Sequence, residues 1–544
     1  METLLPLQTF CQHAGMHVCS QCNSITFSEN VNSDSLCDSR YRYNHIENPA
    51  PYISALNSEI ARVEAIAERL REQRRPLHSA LNARTPIGSL PSELMRNIML
   101  LACQRPIQND SGILMYDEKP SVSPLTLGAI CSLWREIAWS TKEIWSVMDL
   151  PVSVKRHEAQ IELLKQWLLR AENVDVIVSI ERTSDITESS TEIITPLALV
   201  TEALAAYSDR WSGFHTLLPS INVVATLPVV KYHLRALESL TLRSSSWSEF
   251  GFQLEMFSVA PLLREVSLEG ISLGEIVLPW NQFTTFRSTR FFVDECMELL
   301  RRAKSMTHCT LISMLPGFRE EAGNLYNLGE NTLYCAQLHM LHVTAYGNHA
   351  LLLFFERLIL PSLSELSITL VPYYGFPLGS IDMLLHRSRC RLTKLSLQDL
   401  TITLDDILVN SLKDIPTLKQ LILSIHVGSL STVFMHALQT SQFLPQLETF
   451  IYEGSMKFSG EDLLAALKWR WYRTEEAQDN DSGTEASNII GRREVNRAQL
   501  TTVTMVSGSN VPFTEEIEQE LILLIKDGMQ LNMQFDGEIP GSEC

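Results

Sequence analysis

LSELSI at Leu363–Ile368 and LTKLSL at Leu392–Leu397 share one pattern: an apolar residue, two others, an apolar residue, one other, an apolar residue. It returns as LESLTL (Leu237, Leu240, Leu242), LREVSL (Leu263, Val266, Leu268), LHMLHV (Leu338, Leu341, Val343), LKQLIL (Leu418, Leu421, Leu423) and LETFIY (Leu447, Phe450, Tyr452), with a weaker LTTVTM (Leu500, Val503, Met505). In an extended chain successive side chains alternate between faces, so the last two apolar residues of each motif point the same way and line one side of a short strand. Between the motifs lie stretches such as SIDMLLHRS and LDDILVNSLKDI, which read as helices closing the back of each unit. The middle anchors at 341, 366, 395, 421 and 450 stand 25, 29, 26 and 29 residues apart. A strand and a helix repeated at that interval cannot bury an apolar face alone, but a stack of them builds a continuous core.

That interval is the period of a leucine-rich repeat. The unequal steps imply an irregular horseshoe, and the Asn or Cys that usually follows the third apolar position is mostly absent. The expected fold class is therefore α+β overall: an N-terminal helical segment and a three-helix unit, followed over 151–544 by an irregular leucine-rich-repeat α/β solenoid. One interval departs from the rhythm. From 450 to 503 is 53 residues, two periods, and it contains TEEAQDNDSGTEASNIIG, whose first part holds Glu475, Glu476, Asp479, Asp481 and Glu485 without a base. Charge repulsion there outweighs the few apolar contacts available, so a solvated loop is expected over about 474–490. DSGTEAS, around Ser482 and Ser487, reads either as an ordinary acidic loop or as an acidic phosphodegron.

The 544 residues are 45% hydrophobic and 20% charged, enough to bury several cores. Sixty-three acids against forty-four bases give a net charge of -19, which repels phosphate backbones and anionic lipid, so neither nucleic acid nor membrane is an expected partner. KWRWYR at Lys468–Arg473 interleaves bases and aromatics as single-strand binders do, but beside the acidic run it is read as a helix end whose stems pack. Eleven cysteines are scattered rather than densely paired, which fits a reducing compartment. The longest apolar stretch, HALLLFFERLIL, is interrupted by Glu356 and Arg357 well short of the ~20 residues that span a bilayer. With no basic leader ahead of an apolar run, the expectation is a soluble cytoplasmic or nuclear protein.

Residues 1–50 are rich in Ser, Asn, Cys and His without a sustained period, and read as a flexible tail. Cys11, Cys19, Cys22 and Cys37 include a single C-x-x-C, but a second knuckle is missing, so no metal is expected. Over 51–84, Ile53, Leu56, Ile60, Val63, Ala67, Leu70, Leu77 and Leu81 fall on alternating steps of three and four, the seam of a coiled coil, with Arg74 and Pro76 as flaws. This helix either pairs with another or folds back onto the following domain.

In TPIGSLPSELMRNIML, Thr85–Leu100, Leu90, Leu94 and Ile98 recur every fourth residue. Pro91 suits a first helical position, and Glu93 is placed to cap the N–H of Leu90. A polar loop from Gln104 to Ser123 separates this helix from a second, LTLGAICSLWREIAWS, with Leu127, Ile130, Trp134 and Ile137 on one face. Ser140 and Glu143 then predict a capping box opening a third short helix with Ile144, Trp145 and Met148. Trp134 is expected to fill the gap among the three helices. So small a unit leaves apolar surface over, which calls for a partner.

PIGSLPSELMRNIM followed by LGAICSLWREIAWSTKEIWSVMDL resembles the F-box, closest to the large fungal group with a preceding heptad helix and an S-T-x-x-I/L-W ending. The likeness covers about Pro86–Leu150 closely and 53–85 loosely; Leu-Pro-x-Glu, Cys-x-x-Trp and the terminal Trp occur in order, and the loop of 104–123 is longer than the family's usual link. The resemblance implies an F-box over 85–150 that docks a Skp-family adaptor, and through it a cullin and RING subunit, with the repeat region holding a protein substrate for ubiquitin transfer. Carried over by position, it places Pro86, Leu90 and Pro91 in the adaptor contact, Leu94 and Ile98 on the helix behind it, and Ile130 and Trp134 at the interhelical core and interface edge. The alternative is a ligase-independent scaffold that dimerises through the heptad helix. No Gly-rich phosphate loop, H-E-x-x-H pair or G-x-S-x-G elbow occurs, so neither an enzyme nor a cofactor is expected.

Overall fold

The computed structural model describes residues 16–18, 25–27, 50–103, 122–153, 155–182, 194–218, 230, 233–244, 253–316, 332–371, 377–401, 405–472, 498–508 and 513–535. The loop of 104–121, the acidic run with Ser482 and Ser487, and Cys11, Cys19, Cys22 and Cys37 lie outside these residues. The chain divides into two compact units, Met1–Pro91 with Cys131–Leu133, and Ser92–Ile130 with Trp134–Cys544.

The first unit holds the 34-residue helix α1 (Ala50–Ala83), with Pro76 inside it, and a 3-10 turn over Ile87–Ser89. Its heptad seam is exposed: Ile60, Val63, Leu70, Leu77 and Leu81 all face water. After the helix the chain turns tightly, with the Thr85 hydroxyl donating to the Asn82 carbonyl at 2.6 Å and accepting from the Gly88 N–H at 3.1 Å. A Cβ on Gly88 would come within 2.1 Å of that same carbonyl oxygen, so the turn requires glycine. The N–H of Leu90 donates to the Ile87 carbonyl at 3.3 Å. The 3-10 turn thus satisfies the group assigned to Glu93 in the sequence reading.

The second unit begins with α2 (Ser92–Cys103), α3 (Pro124–Ile130) and α4 (Ser132–Ser140). The carbonyl of Ser123 accepts from the N–H groups of Thr126 and Leu127, with Pro124 in the first helical position where its missing N–H costs nothing. The single helix expected over LTLGAICSLWREIAWS is broken at Cys131. Packing explains the break: an added Cβ on Gly128 would lie 1.9 Å from the Trp139 ring. In one continuous helix those residues would stand about 16 Å apart along the axis.

The third helix is also corrected. Lys142–Trp145 forms one 3-10 turn, and Met148 lies on strand β1 (Val147–Val152), paired in parallel with Val176–Arg182. The Ser140 and Thr141 hydroxyls both donate back to the Ile137 carbonyl, at 3.0 and 2.7 Å, so they close α4 instead of opening a helix. The sheet thereby starts inside the segment read as 85–150.

Fourteen strands among the described residues form one open parallel sheet from β1 to Gln530–Phe535. Each strand pairs with the next in the chain, except that Leu333–Tyr334 and Leu358–Ile359 pair with each other instead. The anchors meet in register: Leu240 with Val266, Leu341 with Leu366, Leu366 with Leu395, Leu395 with Leu421, Leu421 with Phe450, Phe450 with Val503. The 53-residue interval is thus one step of the sheet. The row also passes through Met148, Val178, Phe214, Phe286, Cys309 and Leu531, where the motif is degenerate. Apart from the half-buried Leu531, these side chains are almost wholly removed from water, which for each Leu or Phe stabilises the fold by about 1.5–3 kcal/mol.

Two residues before several anchors stands a hydroxyl that ties one strand to the previous one. Thr307 donates to the Thr284 carbonyl at 2.9 Å, Ser364 to His339 at 3.1 Å, Thr393 to Ser364 at 3.0 Å and Thr501 to Glu448 at 3.1 Å. Each hydroxyl adds a bond to the backbone ladder at the point where a strand begins, helping to set register.

Arg470, at the end of helix Gly460–Trp471, accounts for KWRWYR. It is wholly buried, its guanidinium donating to the carbonyls of Leu438 at 2.7 Å, Leu444 at 2.9 Å and Phe443. Its planar fork satisfies the end of the neighbouring helix Thr432–Leu438 and the turn after it. No helix among the described residues is long and apolar enough to cross a membrane.

Candidate functional site

α2 is apolar on two faces. Met95, Met99 and Cys103, spaced four apart, are buried at 5% exposure or less. Leu94, Ile98 and Leu101 lie roughly 130° around the helix, given about 100° per residue, and are 51%, 41% and 70% exposed. One face therefore packs against the rest of its unit, and the other is held out. Ile130, the last residue of α3, is 56% exposed. Among the expected docking residues in this unit, Leu94, Ile98 and Ile130 present apolar surface to water. Trp134 is half-buried on α4.

Pro86, Leu90 and Pro91 belong to the first compact unit. Pro86 and Pro91 are exposed, and Leu90 is half-buried behind the 3-10 turn. Ile87, 41% exposed on that turn, is a further apolar group that the sequence reading passed over. Leu101 is the other. Both were legible in principle: Leu101 follows Ile98 by three and Leu94 by seven, which continues the same helical stripe.

Trp145, not Trp134, fills the centre of the helical segment. It is wholly buried, with Trp139 edge-on at 5.3 Å and Trp167 edge-on at 4.8 Å, and the Arg170 guanidinium lies 5.0 Å over both the Trp139 and Trp145 rings. The Trp145 indole donates to the Ala138 carbonyl at 2.9 Å, and the Trp167 indole to the Trp145 carbonyl at 2.8 Å. Trp167 lies on helix His157–Ala171, which packs on the first strand of the sheet. The cluster thus fastens α4 to the sheet, whereas Trp134, near the start of a helix that begins afresh after Cys131, is only half-buried.

On the sheet face opposite the anchors, polar side chains run in register through much of the sheet. Thr241 pairs with Ser267, and Ser367 with Ser396. Later strands substitute Ile422 and Ile451. The row returns to polar residues at Thr504 and Asn532, and Thr241, Ser267 and Ser396 within it are buried.

Burial pushes the Cys103 thiol up to about 11 and Cys335 up to about 12, so both stay protonated at neutral pH and are poor nucleophiles. Burial likewise raises the Asp382 carboxyl, which accepts from the Ser411 hydroxyl at 2.8 Å beside a cavity also lined by His386 and Asp414. That bond ties two neighbouring back helices together. No described group of three or more His, Cys, Asp or Glu side chains is arranged to hold a metal ion. Compared with known proteins, the chain matches no family model and no curated protein.

Proposed function

We propose that this protein is a substrate-recognition adaptor of a Skp-cullin-F-box type ubiquitin ligase. In this reading α2, α3 and α4 are an F-box fused onto the first strand of an irregular leucine-rich-repeat solenoid. The observation that carries it is the second apolar face of α2: a 12-residue helix that already buries one stripe keeps Leu94, Ile98 and Leu101 in water. A soluble helix spends apolar residues on an outer face chiefly where a partner covers them. The Skp-family adaptor is the partner implied by the F-box likeness, which also assigns Pro86, Leu90, Pro91 and Ile130 to adaptor docking. The repeat region holds the protein target, raising its effective concentration near the ligase without bond chemistry by this chain.

A pull-down of the full chain with purified Skp-family adaptor tests the docking. Wild type is expected to bind, and Leu90→Ala with Pro91→Ala, or Leu94→Glu with Ile98→Glu, to lose binding while the thermal transition stays in place. Equal binding by wild type and both pairs of variants would overturn the assignment. Affinity capture with and without the F-box then identifies targets as proteins that accumulate on the deleted form.

A further inference from the structure

The seam of α1 is as exposed as the outer face of α2, but its pattern specifies a different occupant. Ile60, Val63, Leu70, Leu77 and Leu81 are between 38% and 71% exposed and fall on coiled-coil spacing along a 34-residue helix. Pro76 removes one helical hydrogen bond near the C-terminal end, so the last turns depend on packing for their order. A helix with such a stripe is completed by a second helix laid along it. We propose that α1 pairs in antiparallel fashion with α1 of a second copy of this chain. The inference does not rest on adaptor docking and involves only the first compact unit.

Charge selects both the direction and the register. In a parallel pair each seam residue meets its own copy, which sets Arg74 against Arg74 in the middle of the apolar layers. In an antiparallel pair, with Ala67 of one chain opposite Leu70 of the other, Arg74 lies opposite Val63 and Ile60 opposite Leu77. The small Ala67 side chain leaves room for Leu70. This register places Glu64, flanking the seam, beside Arg71 of the second copy, and the two-fold axis repeats the pair. Sliding by one heptad in one direction puts Glu64 against Glu64, and in the other Arg71 against Arg71. Only the intermediate register pairs opposite charges. Arg71 now meets Glu68 of its own helix at 3.1 Å with both side chains at least half exposed, a weak pair that yields readily to a new one.

Sedimentation velocity on the purified full chain tests this. Wild type is expected to sediment as a dimer, and Ile60→Glu with Leu70→Glu as a monomer; both residues are exposed in the single chain, so the fold is retained by circular dichroism. Glu64→Arg alone and Arg71→Glu alone are each expected to raise the dimer dissociation constant about tenfold at low salt, because each turns two attractive pairs repulsive. Combining the two reversals restores dimerisation. A monomeric wild type at micromolar concentration, or a dimer that survives the seam variant, overturns the proposal. Failure of the double reversal to restore pairing overturns the antiparallel register.

Discussion

α1 and the tryptophan cluster of α4 lie at opposite ends of one physical scale. In α1, Leu77 is 71% exposed and no seam residue described there is fully buried. Around Trp145, three indoles and a guanidinium close on one another at about 5 Å, with two indole N–H groups satisfied by backbone carbonyls. Both regions carry apolar residues at helical spacing. The difference is connection: β1 follows Trp145 immediately and pairs with the next strand, so the ring is carried into the sheet's end, whereas α1 ends in a 3-10 turn that offers no such surface. An apolar stripe records that something must cover it, not what.

The sharpest way to break the contrast is Trp145→Ala. Removing a fully buried indole with two aromatic partners should cost about 3–5 kcal/mol, read as a large drop in the chemical denaturation midpoint of the full chain. Trp134→Ala, at a half-buried ring, should cost far less, so similar losses from the two would refute the assignment of Trp145 as the central ring. Arg470→Ala comes next. It strands three buried carbonyls, at about 3 kcal/mol, and Arg470→Lys recovers little because an ammonium cannot reproduce the fork. Gly128→Ala forces a methyl into the Trp139 ring and should lower stability by about 1–3 kcal/mol by thermal denaturation. The smallest stability effect belongs to Leu94→Ala with Ile98→Ala, within about 0.5 kcal/mol each because both face water, yet adaptor binding should fall.

The repeat anchors were legible wherever three apolar residues kept the six-residue pattern, because burial of alternate positions leaves a periodic trace. They were not legible at Phe286 or Cys309, where the sheet accepts Phe-x-x-Phe-x-Ser and Met-x-x-Cys-x-Leu at shortened intervals. The Ser or Thr two residues before an anchor was in plain view in LSELSI, LTKLSL and LTTVTM. Its bond to the preceding strand runs to a residue about 25 or more positions away and leaves no local period. On the candidate site, Leu94 and Ile98 were readable as a stripe, but that Met95 and Met99 form the buried face beside it was not, since both stripes satisfy helical spacing.

Local sequence determined the existence of α1, α2, the repeated strands and the turn at Gly88, all of which depend on propensity, capping and alternation within a few residues. Tertiary structure alone decided the break at Cys131, the conversion of the expected third helix into β1, and the choice of Trp145 over Trp134. Each depends on a group distant along the chain: the Trp139 ring on Gly128, the hydrogen bonds of Val176–Arg182, the Trp167 indole on the Trp145 carbonyl. Propensity differs by only tenths of a kcal/mol per residue between helix and strand for such sequences, while pairing into a sheet and burying an indole contribute several, so the larger long-range contribution prevails.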